Sequence, residues 1–458
     1  MDPAIFKAYD IRGVYPDQLD EEDAWKIGCA AARFLPSLVT GYERGQANAQ
    51  SLCVGRDMRT HSESLAQALI EGMNASGTNV IDIGMIDTPQ MYFAINHLGT
   101  CGGVQVTASH NPAKYNGFKI SGLGAKPVGA DTGLKEIEHI ATALLHTKGK
   151  ATGSVKKFDL TEEYKKHVLK FLKPNIEKLK IAVDASNGMA GKMVPAVFGD
   201  LPIDIIPLNF AHTGKFKHEP NPLIEKNLAD VKAAVKKKKN KADFGVCFDG
   251  DADRLMMVDQ KGATIGCDLL TALMVPYFLK KQPNSTIVYD LRSSLVVTEE
   301  IIKNGGTPRR ERVGHAFMKK AMRDSHALFG GELSGHFYYR DNYYADSGLI
   351  TLVHVLNIIS EARVPISELI KPLRRYYSSG EVNFKVDDKQ ARMDELAKRY
   401  RDGQIDYLDG VTVRYKDWWF NCRPSNTEPL LRLNIEAKSK ELLDYKISEI
   451  EQKLGKPV

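Results

Sequence analysis

The sequence predicts an α/β protein in which three related α/β units precede a smaller C-terminal α+β domain. The chain has 458 residues, and at about 150 residues for a typical domain this length favours three or more domains. Three successive stretches also repeat one order of strands, helices and loops. Strands that alternate with helices form parallel βαβ units, whose binding loops gather at the carboxyl ends of the strands.

The repeat is visible in three sets of short apolar segments. The first strand of each unit, predicted at 52–57, 180–184 and 286–290, runs into an aspartate or an arginine. The second strands are predicted at 79–83, 203–206 and 307–313, and the third strands at 103–106, 244–248 and 327–329. Each third strand ends in a polar loop. The rhythm alone leaves open whether the three units are homologous.

The two ends of the chain follow other patterns. Residues 6–13 predict a short edge strand that ends on a glycine turn, before an amphipathic helix around 24–34. The C-terminal stretch combines a charged helix at 388–399 with strand-like segments at 410–415 and 430–435. This mixture is typical of a small α+β domain.

Segments 147–153, 259–262 and 376–380 have the composition of turns or linkers and set the predicted domain boundaries. The predicted domains are 1–152, 153–261, 262–375 and 376–458.

The composition indicates a soluble globular protein, with 43% hydrophobic and 26% charged residues. A net charge of +6 is too dilute over this length to indicate nucleic-acid binding. The lysines at 236–239 and 241 are interpreted as a helix end, where cations complement the dipole. The six cysteines form no CxxC pair and are expected to be reduced core residues. Without a signal peptide or a long apolar stretch, we expect a cytoplasmic protein that makes no membrane contact.

The loop after the first unit's third strand presents Ser109. Pro112 restricts the residue before it, and His110 and Lys119 bring hydrogen-bond donors close to the serine. A serine held in this way can carry a phosphoryl group. Taken alone, the same residues also fit a solvated turn.

The second loop carries Asp249, Asp251 and Asp253 at every second position. Carboxylates at this spacing can face one way, and three hard oxygens suit Mg²⁺. An EF-hand is rejected because its sixth position would be Arg254 and its twelfth Gln260. Three carboxylates leave the ion room for one more oxygen.

Two further loops suit a phosphorylated sugar. In the third unit Glu332, Ser334 and His336 alternate after a glycine pair, and a carboxylate with a serine beside it suits sugar hydroxyls. A polar strand end is the alternative for these three. The C-terminal loop offers groups for a phosphate monoester, and these are Arg423, Ser425, Asn426 and Thr427. Near the N-terminus, Tyr9 and Arg12 are candidates for lining a phosphate pocket.

Together the four loops resemble the α-D-phosphohexomutase superfamily, most of all its bacterial phosphomannomutase/phosphoglucomutase branch. The matching motifs are Thr-Ala-Ser-His-Asn-Pro at 107–112, Asp-Gly-Asp-Ala-Asp-Arg at 249–254, Gly-Glu-Leu-Ser-Gly-His at 331–336 and Arg-Pro-Ser-Asn-Thr at 423–427. They occur in the family's order, and the resemblance spans essentially the whole chain. It implies four domains with mixed sheets around a central cleft.

The resemblance also implies a reaction and a set of roles. Ser109 corresponds to the phosphoserine, the three aspartates with Ser109 to the ligands of one Mg²⁺, Glu332 and Ser334 to the sugar readers, and the Arg423 loop to the phosphate site. The enzyme would interconvert hexose 1-phosphate and 6-phosphate of mannose or glucose, with hexose 1,6-bisphosphate as intermediate and activator. The candidate catalytic residues are Ser109, His110, Lys119, Arg254, His336, His315 and Arg12.

One departure and several alternatives stay open. Relatives often carry a lysine where this chain has Arg292, so the role of Arg292 is not assigned. Phosphoglucosamine mutase is the nearest alternative activity, followed by a phosphosugar phosphatase and a phosphosugar-binding protein without turnover. The expected partner is a small phosphosugar, and the expected state is a monomer or a weak homodimer.

Overall fold

The computed structural model describes residues 1–40, 48, 50–145, 152–425 and 430–458. These residues fold into two compact units, each built from two separate stretches of chain. The first unit contains Met1–Ile265 and Ser334–Ser367. The second unit contains Gly266–Leu333 and Glu368–Val458.

The first stretch forms a mixed sheet in the strand order β1-β5-β4-β2-β3-β7, with β6 beside β5. Its elements are β1 (Ile11–Val14), α1 (Glu21–Phe34), β2 (Ser51–Arg56), α2 (Ser62–Ala75), β3 (Asn79–Met85), α3 (Thr88–Leu98), β4 (Gly102–Val106), β5 (Tyr115–Gly122), β6 (Lys126–Pro127), α4 (Lys135–Ala143) and β7 (Val155–Lys157). Strands β3 and β4 flank β2 in parallel, whereas β5 runs antiparallel to β4.

The second stretch forms a five-stranded mixed sheet in the order β12-β11-β10-β8-β9. Its elements are α5 (Thr161–Leu169), β8 (Leu179–Asp184), α6 (Ala190–Phe198), β9 (Ile203–Leu208), α7 (Ala229–Lys236), β10 (Phe244–Phe248), β11 (Leu255–Asp259) and β12 (Thr264–Ile265). Strand β8 lies parallel to β9 and β10, and β11 turns back antiparallel to β10.

The third stretch again places a central strand between two parallel partners. Its elements are α8 (Cys267–Lys281), β13 (Thr286–Asp290), α9 (Leu295–Lys303), β14 (Thr307–Glu311), α10 (His315–Asp324), β15 (Phe329–Gly331), β16 (Phe337–Tyr339), β17 (Ala345–Asp346), α11 (Gly348–Ala362) and α12 (Ile366–Ile370). In the second unit β13 pairs in parallel with β14 and β15. In the first unit β16 and β17 form an antiparallel pair.

The C-terminal stretch is an antiparallel sheet in the order β18-β22-β21-β20-β19 with two helices. Its elements are β18 (Tyr377–Phe384), α13 (Lys389–Arg399), β19 (Gln404–Asp406), β20 (Val411–Arg414), β21 (Trp418–Pro424), β22 (Leu431–Ala437) and α14 (Lys440–Leu454). Its core packs around buried Phe420, Leu433 and Leu443. Three mixed α/β sheets and one α+β domain confirm the predicted fold class.

A shared turn supports the repeat at the level of single hydrogen bonds. In each of the three α/β stretches a buried aspartate lies at the end of the first strand. Its carboxylate accepts the backbone N–H of the residue two positions further along the chain. The pairs are Asp57 with Arg59 at 2.9 Å, Asp184 with Ser186 at 2.9 Å and Asp290 with Arg292 at 2.8 Å. This Asx-type turn fixes the path of the chain as it leaves the sheet.

Several sequence predictions need correction. Gly13 lies inside β1 instead of a turn, because β1 continues to Val14 to pair with β5. Segment 376–380 is the start of β18, where a β-bulge and the left-handed Gly380 absorb the irregular sequence. The third strand of the third unit begins at Phe329, two residues late, since the chain must first turn after α10. Strand β21 has no counterpart among the predicted segments.

Other sequence predictions are confirmed. All six cysteines are free and buried. Helix α7 ends at Lys236, the first residue of the lysine run.

Residues 147–151 of the predicted linker lie outside the described residues. The four domain boundaries stay predictions.

Within the described part of the chain, no single helix has both the length and the apolar composition to cross a membrane. One pair of helices, Gly348–Ala362 and Ile366–Leu373, passes the same test together but is bent by 92°.

Helices α1 and α2 pack closely through glycines, which gives a test of the first core. A Cβ on Gly72 would lie 2.0 Å from the carbonyl oxygen of Trp25. Alanine improves helix propensity by about 1 kcal/mol, but the backbone clash outweighs this gain. We expect Gly72→Ala to lower the free energy of unfolding by about 1–3 kcal/mol, measured by thermal denaturation. Glu71→Ala, at the exposed neighbouring position, is the control, and equal stability of the two variants would contradict the packing argument.

Candidate active site

Ser109 lies in the loop after β4 and is only 1% exposed, so it does not stand at an open tip. Its φ of 49° is in the left-handed region, which costs on the order of 1 kcal/mol or more for a residue with a side chain. The loop is held by hydrogen bonds. The Ser109 N–H donates to Thr107 Oγ1 at 2.9 Å, and the Thr107 hydroxyl donates to Asp57 Oδ2 at 2.7 Å.

Arg59, which the sequence analysis did not single out, clamps the same loop. Its guanidinium donates to four backbone carbonyl oxygens at distances between 2.7 and 3.1 Å. The acceptors belong to Ser109, Asn111, Pro112 and Tyr115. Burial lowers the pKa of Arg59, and the carboxylate of Asp57, 3.1 Å from its Nε, opposes this effect. A buried arginine therefore fixes the path of the serine loop.

The Ser109 hydroxyl points at the acidic loop. Its Oγ donates to Asp249 Oδ2 at 2.9 Å, and His110 Nδ1 lies 3.4 Å from the same Oγ. Burial, together with the positive charges of Arg254, Arg12 and Lys119, lowers the pKa of His110 well below its ordinary value. Burial and these cations therefore disfavour the protonated form of His110.

The three predicted metal ligands come together. One carboxylate oxygen from each of Asp249, Asp251 and Asp253 lies within 4.8 Å of the others, and all three residues are buried. Lys119, on β5, donates from Nζ to Asp251 Oδ2 and Asp253 Oδ2, both at 2.6 Å. Thr88, at the start of α3, donates its hydroxyl to Asp251 Oδ2 at 2.5 Å.

The three carboxylates and Lys119 change one another's pKa values. Burial and the neighbouring carboxylates of Asp253 and Asp251 raise the pKa of Asp249 well above its ordinary value. Burial acts the same way on Asp251, but the ammonium of Lys119 outweighs it and lowers that pKa. Burial opposes the charge on Lys119, yet the three carboxylates raise its pKa. The site thus holds more negative charge than its lysine alone neutralises.

The donor set fits a hard divalent cation. Among the described residues, Asp251 Oδ1 and Asp253 Oδ1 are buried and have no hydrogen-bond donor. A buried carboxylate oxygen without a donor is costly, and a cation that takes several oxygen ligands would satisfy both. Asp249, Asp251 and Asp253 are therefore one group that could hold a metal ion, and it is the group that the sequence analysis expected.

Backbone contacts join the serine loop to the acidic loop. A Cβ on Gly250 would lie 2.3 Å from the carbonyl oxygen of Ser109, and one on Gly188 would lie 2.5 Å from the carbonyl oxygen of Gly250. The Met189 N–H also donates to that Gly250 oxygen at 2.8 Å. Glycine is required at both positions for this approach.

Arg254 and His336 contact each other beside the aspartates. Arg254 Nε donates to His336 Nε2 at 3.0 Å and lies 3.9 Å from Asp249 Oδ2. His336 Nδ1 lies 2.6 Å from Asp346 Oδ2 and 3.8 Å from Asp253 Oδ1. Both predicted residues thus lie beside the aspartate cluster, and Asp346, on β17, was not among the predicted residues.

The two N-terminal candidates, Arg12 and Tyr9, lie on β1 and just before it. Arg12, on β1, donates from its NH1 nitrogen to Asn111 Oδ1 at 2.5 Å and pairs with Asp10, so it contacts the serine loop. Tyr9 is half-buried just before β1.

In the second unit, Glu332 follows β15 and is 3% exposed. Its Oε1 accepts the backbone N–H of Gly314 at 3.2 Å and lies 3.7 Å from Arg292. Arg292 is itself oriented by Asp290, which it contacts at 2.8 Å. Burial opposes the charge on Arg292, but Asp290 outweighs it and raises the pKa. Glu332 is thus a buried carboxylate beside a permanent cation.

Arg423, near the end of β21, is 2% exposed and donates to Glu381 Oε2 at 2.6 Å. Glu381 also lies 3.3 Å from Arg432 and 3.6 Å from Arg292. One carboxylate therefore faces three guanidinium groups, which leaves a positive cluster at this place. Buried Ser425 lies two residues after Arg423, directly after the end of β21.

Four predicted site residues remain. Asn426 and Thr427 lie outside the described residues. His315 is the first residue of α10 in the second unit, after Gly314. Ser334 belongs to the first unit, and its buried Oγ has no hydrogen-bond partner among the described residues.

Comparisons with known proteins cover nearly the whole chain. Four family models match in order. They are Phosphoglucomutase/phosphomannomutase alpha/beta/alpha domain I at residues 3–147, domain II at 162–262, domain III at 267–376 and the C-terminal domain at 381–452.

Individual relatives agree with the family models. The chain is 39% identical to a phosphomannomutase of Vibrio cholerae, over 98% of each chain. It is 38% identical to a protein of Xanthomonas campestris described as phosphohexose mutases, over 97% of this chain and 98% of that one. A crystal structure of a phosphoglucomutase/phosphomannomutase family protein from Burkholderia thailandensis superposes with a TM-score of 0.88 at 32% identity, over 99% of this chain and 97% of that one.

Sequence motifs, buried loop geometry and these matches agree with one another, and the chain belongs to the phosphoglucomutase/phosphomannomutase family of phosphohexose mutases, which are isomerases.

Proposed function

We propose that this chain interconverts the 1-phosphate and the 6-phosphate of mannose and glucose, with Ser109 as the phosphoryl carrier. One observation carries the proposal: the buried Ser109 hydroxyl donates directly to Asp249, a member of the three-aspartate cluster. A phosphoryl group on Ser109 would bring about −1.5 to −2 charges into this place. Lys119 and Arg254 supply positive charge there, and a divalent cation would supply the rest.

The proposed reaction is two phosphoryl transfers in opposite directions. A hydroxyl oxygen of the hexose phosphate attacks phosphorus, the bond from phosphorus to Ser109 Oγ breaks, and hexose 1,6-bisphosphate forms. The attacking hydroxyl gives up a proton and the Ser109 oxygen gains one. His336 and His315 are the candidate proton carriers from the sequence. The second transfer returns the other phosphate to Ser109, which explains why the bisphosphate would act as activator.

We propose Mg²⁺ as the cation, held by the three aspartates and an oxygen on Ser109. When bound, Mg²⁺ supplies positive charge that offsets charge on the phosphoryl oxygens. The residues of the chain do the rest: Thr88 and Lys119 orient Asp251, and Arg59 fixes the serine loop.

The second unit offers groups suited to the rest of the substrate. We propose that Glu332 accepts from sugar hydroxyls. Ser334, which belongs to the first unit, stays a predicted sugar reader. The cluster of Arg292, Arg423 and Arg432 around Glu381 is suited to a phosphate, which would compete with that carboxylate. Tyr9, Ser425, Asn426 and Thr427 stay predicted substrate contacts. The central cleft, a cytoplasmic location and a monomer or weak homodimer also stay predictions.

An assay with hexose 1-phosphate, Mg²⁺ and a trace of hexose 1,6-bisphosphate tests this function. Formation of 6-phosphate without free phosphate is the expected result. Free phosphate would indicate a phosphatase, and binding without product would indicate a non-catalytic protein. Glucosamine 1-phosphate tested alongside separates the nearest alternative, because a clear preference for it would overturn the mannose and glucose assignment.

We expect phosphate on Ser109 in the active enzyme, found by peptide mapping with mass spectrometry. Ser109→Ala removes the carrier oxygen and should lower kcat by about 1,000-fold or more. Ser37→Ala, an exposed serine after α1, is the matched control and should behave as wild type. A Ser109→Ala enzyme with near wild-type turnover would rule out the carrier role.

We expect chelation by EDTA to abolish turnover and added Mg²⁺ to restore it. Asp251→Asn removes one charged ligand and should reduce kcat by about 100-fold or more, because a bound cation supplies several kcal/mol of charge stabilisation. Asp204→Asn, an exposed aspartate on β9, controls for loss of a surface carboxylate. Full activity in excess EDTA would contradict the metal assignment.

Sugar selectivity tests the role of Glu332. If it reads the hydroxyls at C3 and C4, the C2 position where glucose and mannose differ is left largely unread. Their 1-phosphates should then have kcat/KM values within about 100-fold of each other. Galactose 1-phosphate, inverted at C4, should be much poorer because it leaves a buried carboxylate unsatisfied. Galactose equal to either sugar would show that Glu332 does not read the ring.

A further inference from the structure

Glu381 is a carboxylate that lies among the arginines of the second unit. It stands on β18, the edge strand of the C-terminal sheet, directly after a β-bulge, and its side chain is 27% exposed. Its Oε2 accepts from Arg423 at 2.6 Å and lies 3.6 Å from Arg292. Its Oε1 lies 3.3 Å from Arg432. The sequence analysis gave this residue no role.

The positive charge of this cluster is built into the sheet. Arg423 of β21 and Arg432 of β22 are direct partners in the antiparallel register, and like charges opposite each other destabilise such a pair. Glu381 pairs with Asn434 of β22, two residues from Arg432, so its side chain points to the same face of the sheet. The carboxylate is therefore placed to offset a repulsion that the strand pairing itself creates.

One carboxylate satisfies this cluster only in part. The Arg423 side chain is 2% exposed, and its Nε is buried without a hydrogen-bond acceptor among the described residues. Burial and the charge of Arg292 lower the pKa of Arg423, and Glu381 opposes both effects. A phosphate monoester would bring about −1.5 to −2 charges and more acceptor oxygens than a carboxylate has. It would therefore serve the same guanidinium groups better than Glu381 does.

We propose that Glu381 is a built-in counter-ion of the arginine cluster, which stands in for the phosphate of the substrate and is displaced when that phosphate binds. The identity of the ligand rests on the proposed function, whereas the competition between carboxylate and phosphate is a property of the free protein. If the carboxylate holds the arginines in about 90% of the molecules, the apparent affinity for phosphate is lowered about tenfold.

A displaceable counter-ion suits a reaction with two transfers. The two phosphates of the bisphosphate exchange roles between the transfers, so a phosphate held by the arginines must be released before the second one. Buried donors that lose their acceptor are costly. Return of Glu381 to the guanidinium groups replaces the contacts that the departing phosphate breaks, and this keeps the release from stranding Arg423.

Titration of inorganic phosphate into the metal-free full-length chain, followed by calorimetry, tests the competition. Glu381→Gln keeps the size of the side chain and removes its charge, so the variant should bind phosphate about tenfold tighter than wild type. Unchanged or weaker binding would show that Glu381 only orients the arginines, and the proposal would be overturned. The gain should also disappear when Arg423→Gln is added, because a gain that persists would place the phosphate elsewhere and overturn the proposal.

Glu395→Gln is the matched control, since Glu395 of α13 also pairs with two cations, Arg392 at 2.8 Å and Lys453 at 3.3 Å. It should leave the phosphate affinity unchanged, and an equal gain there would reduce the effect to net charge and contradict the proposal. Glu381→Asp keeps the charge on a shorter side chain and decides the question if the glutamine variant does not fold. It should bind phosphate about two- to threefold tighter than wild type, and equal or weaker binding would again overturn the proposal.

Turnover gives a separate readout of the role toward the substrate. In Glu381→Gln the KM for hexose 1-phosphate should fall by about tenfold, and a KM equal to or above that of wild type would contradict this role. The phosphate titration needs no turnover. It therefore decides the counter-ion role even if the wild-type chain fails to interconvert the hexose phosphates and the proposed function falls.

Discussion

Charge balance inside the first unit is the constraint on which the site depends. Three carboxylates, Asp249, Asp251 and Asp253, are buried within 4.8 Å of one another. Isolated buried charges of this kind are strongly unfavourable, so cations must accompany them. Lys119 and Arg254 are within reach; Lys119 lies on β5 and Arg254 directly precedes β11. The sheets are therefore built to deliver positive charge to one loop as much as to bury apolar surface.

Charge balance also constrains the serine loop, where the buried charge is that of Arg59 and its partner is Asp57. A phosphorylated serine needs a fixed backbone, and Ser109 adopts a φ of 49° that a free chain would seldom choose. The Arg59 guanidinium donates hydrogen bonds to carbonyl oxygens of that loop, and the carboxylate of Asp57 balances the positive charge of Arg59. Asp290 and Arg292 reproduce the motif in the second unit, where it places a cation beside Glu332. The same turn, with an aspartate and an arginine two residues apart, thus supports the serine loop in the first unit and places a cation beside Glu332 in the second.

Local sequence predicted most of the fold and the polar loops, because strands, helices and loop chemistry depend on neighbouring residues. Strands β10 and β13 match their predicted bounds, and Asp249 to Asp253 converge as the spacing indicated. Two contacts between distant residues were not predicted. Arg59 meets the serine loop about fifty positions on, and Asp346 meets His336 only because β17 pairs with β16. The aspartate at each first-strand end was the signal that could have found Arg59.

The glycine contacts between loops also limit how such chains can recombine. With a hypothetical Cβ on Gly250 only 2.3 Å from the Ser109 carbonyl, the acidic loop and the serine loop share one surface with no room for adjustment. A chimera that joined the first α/β stretch of one relative to the second stretch of another would need both backbones to follow the same path within a fraction of an ångström. The two stretches are therefore expected to be inherited as one block.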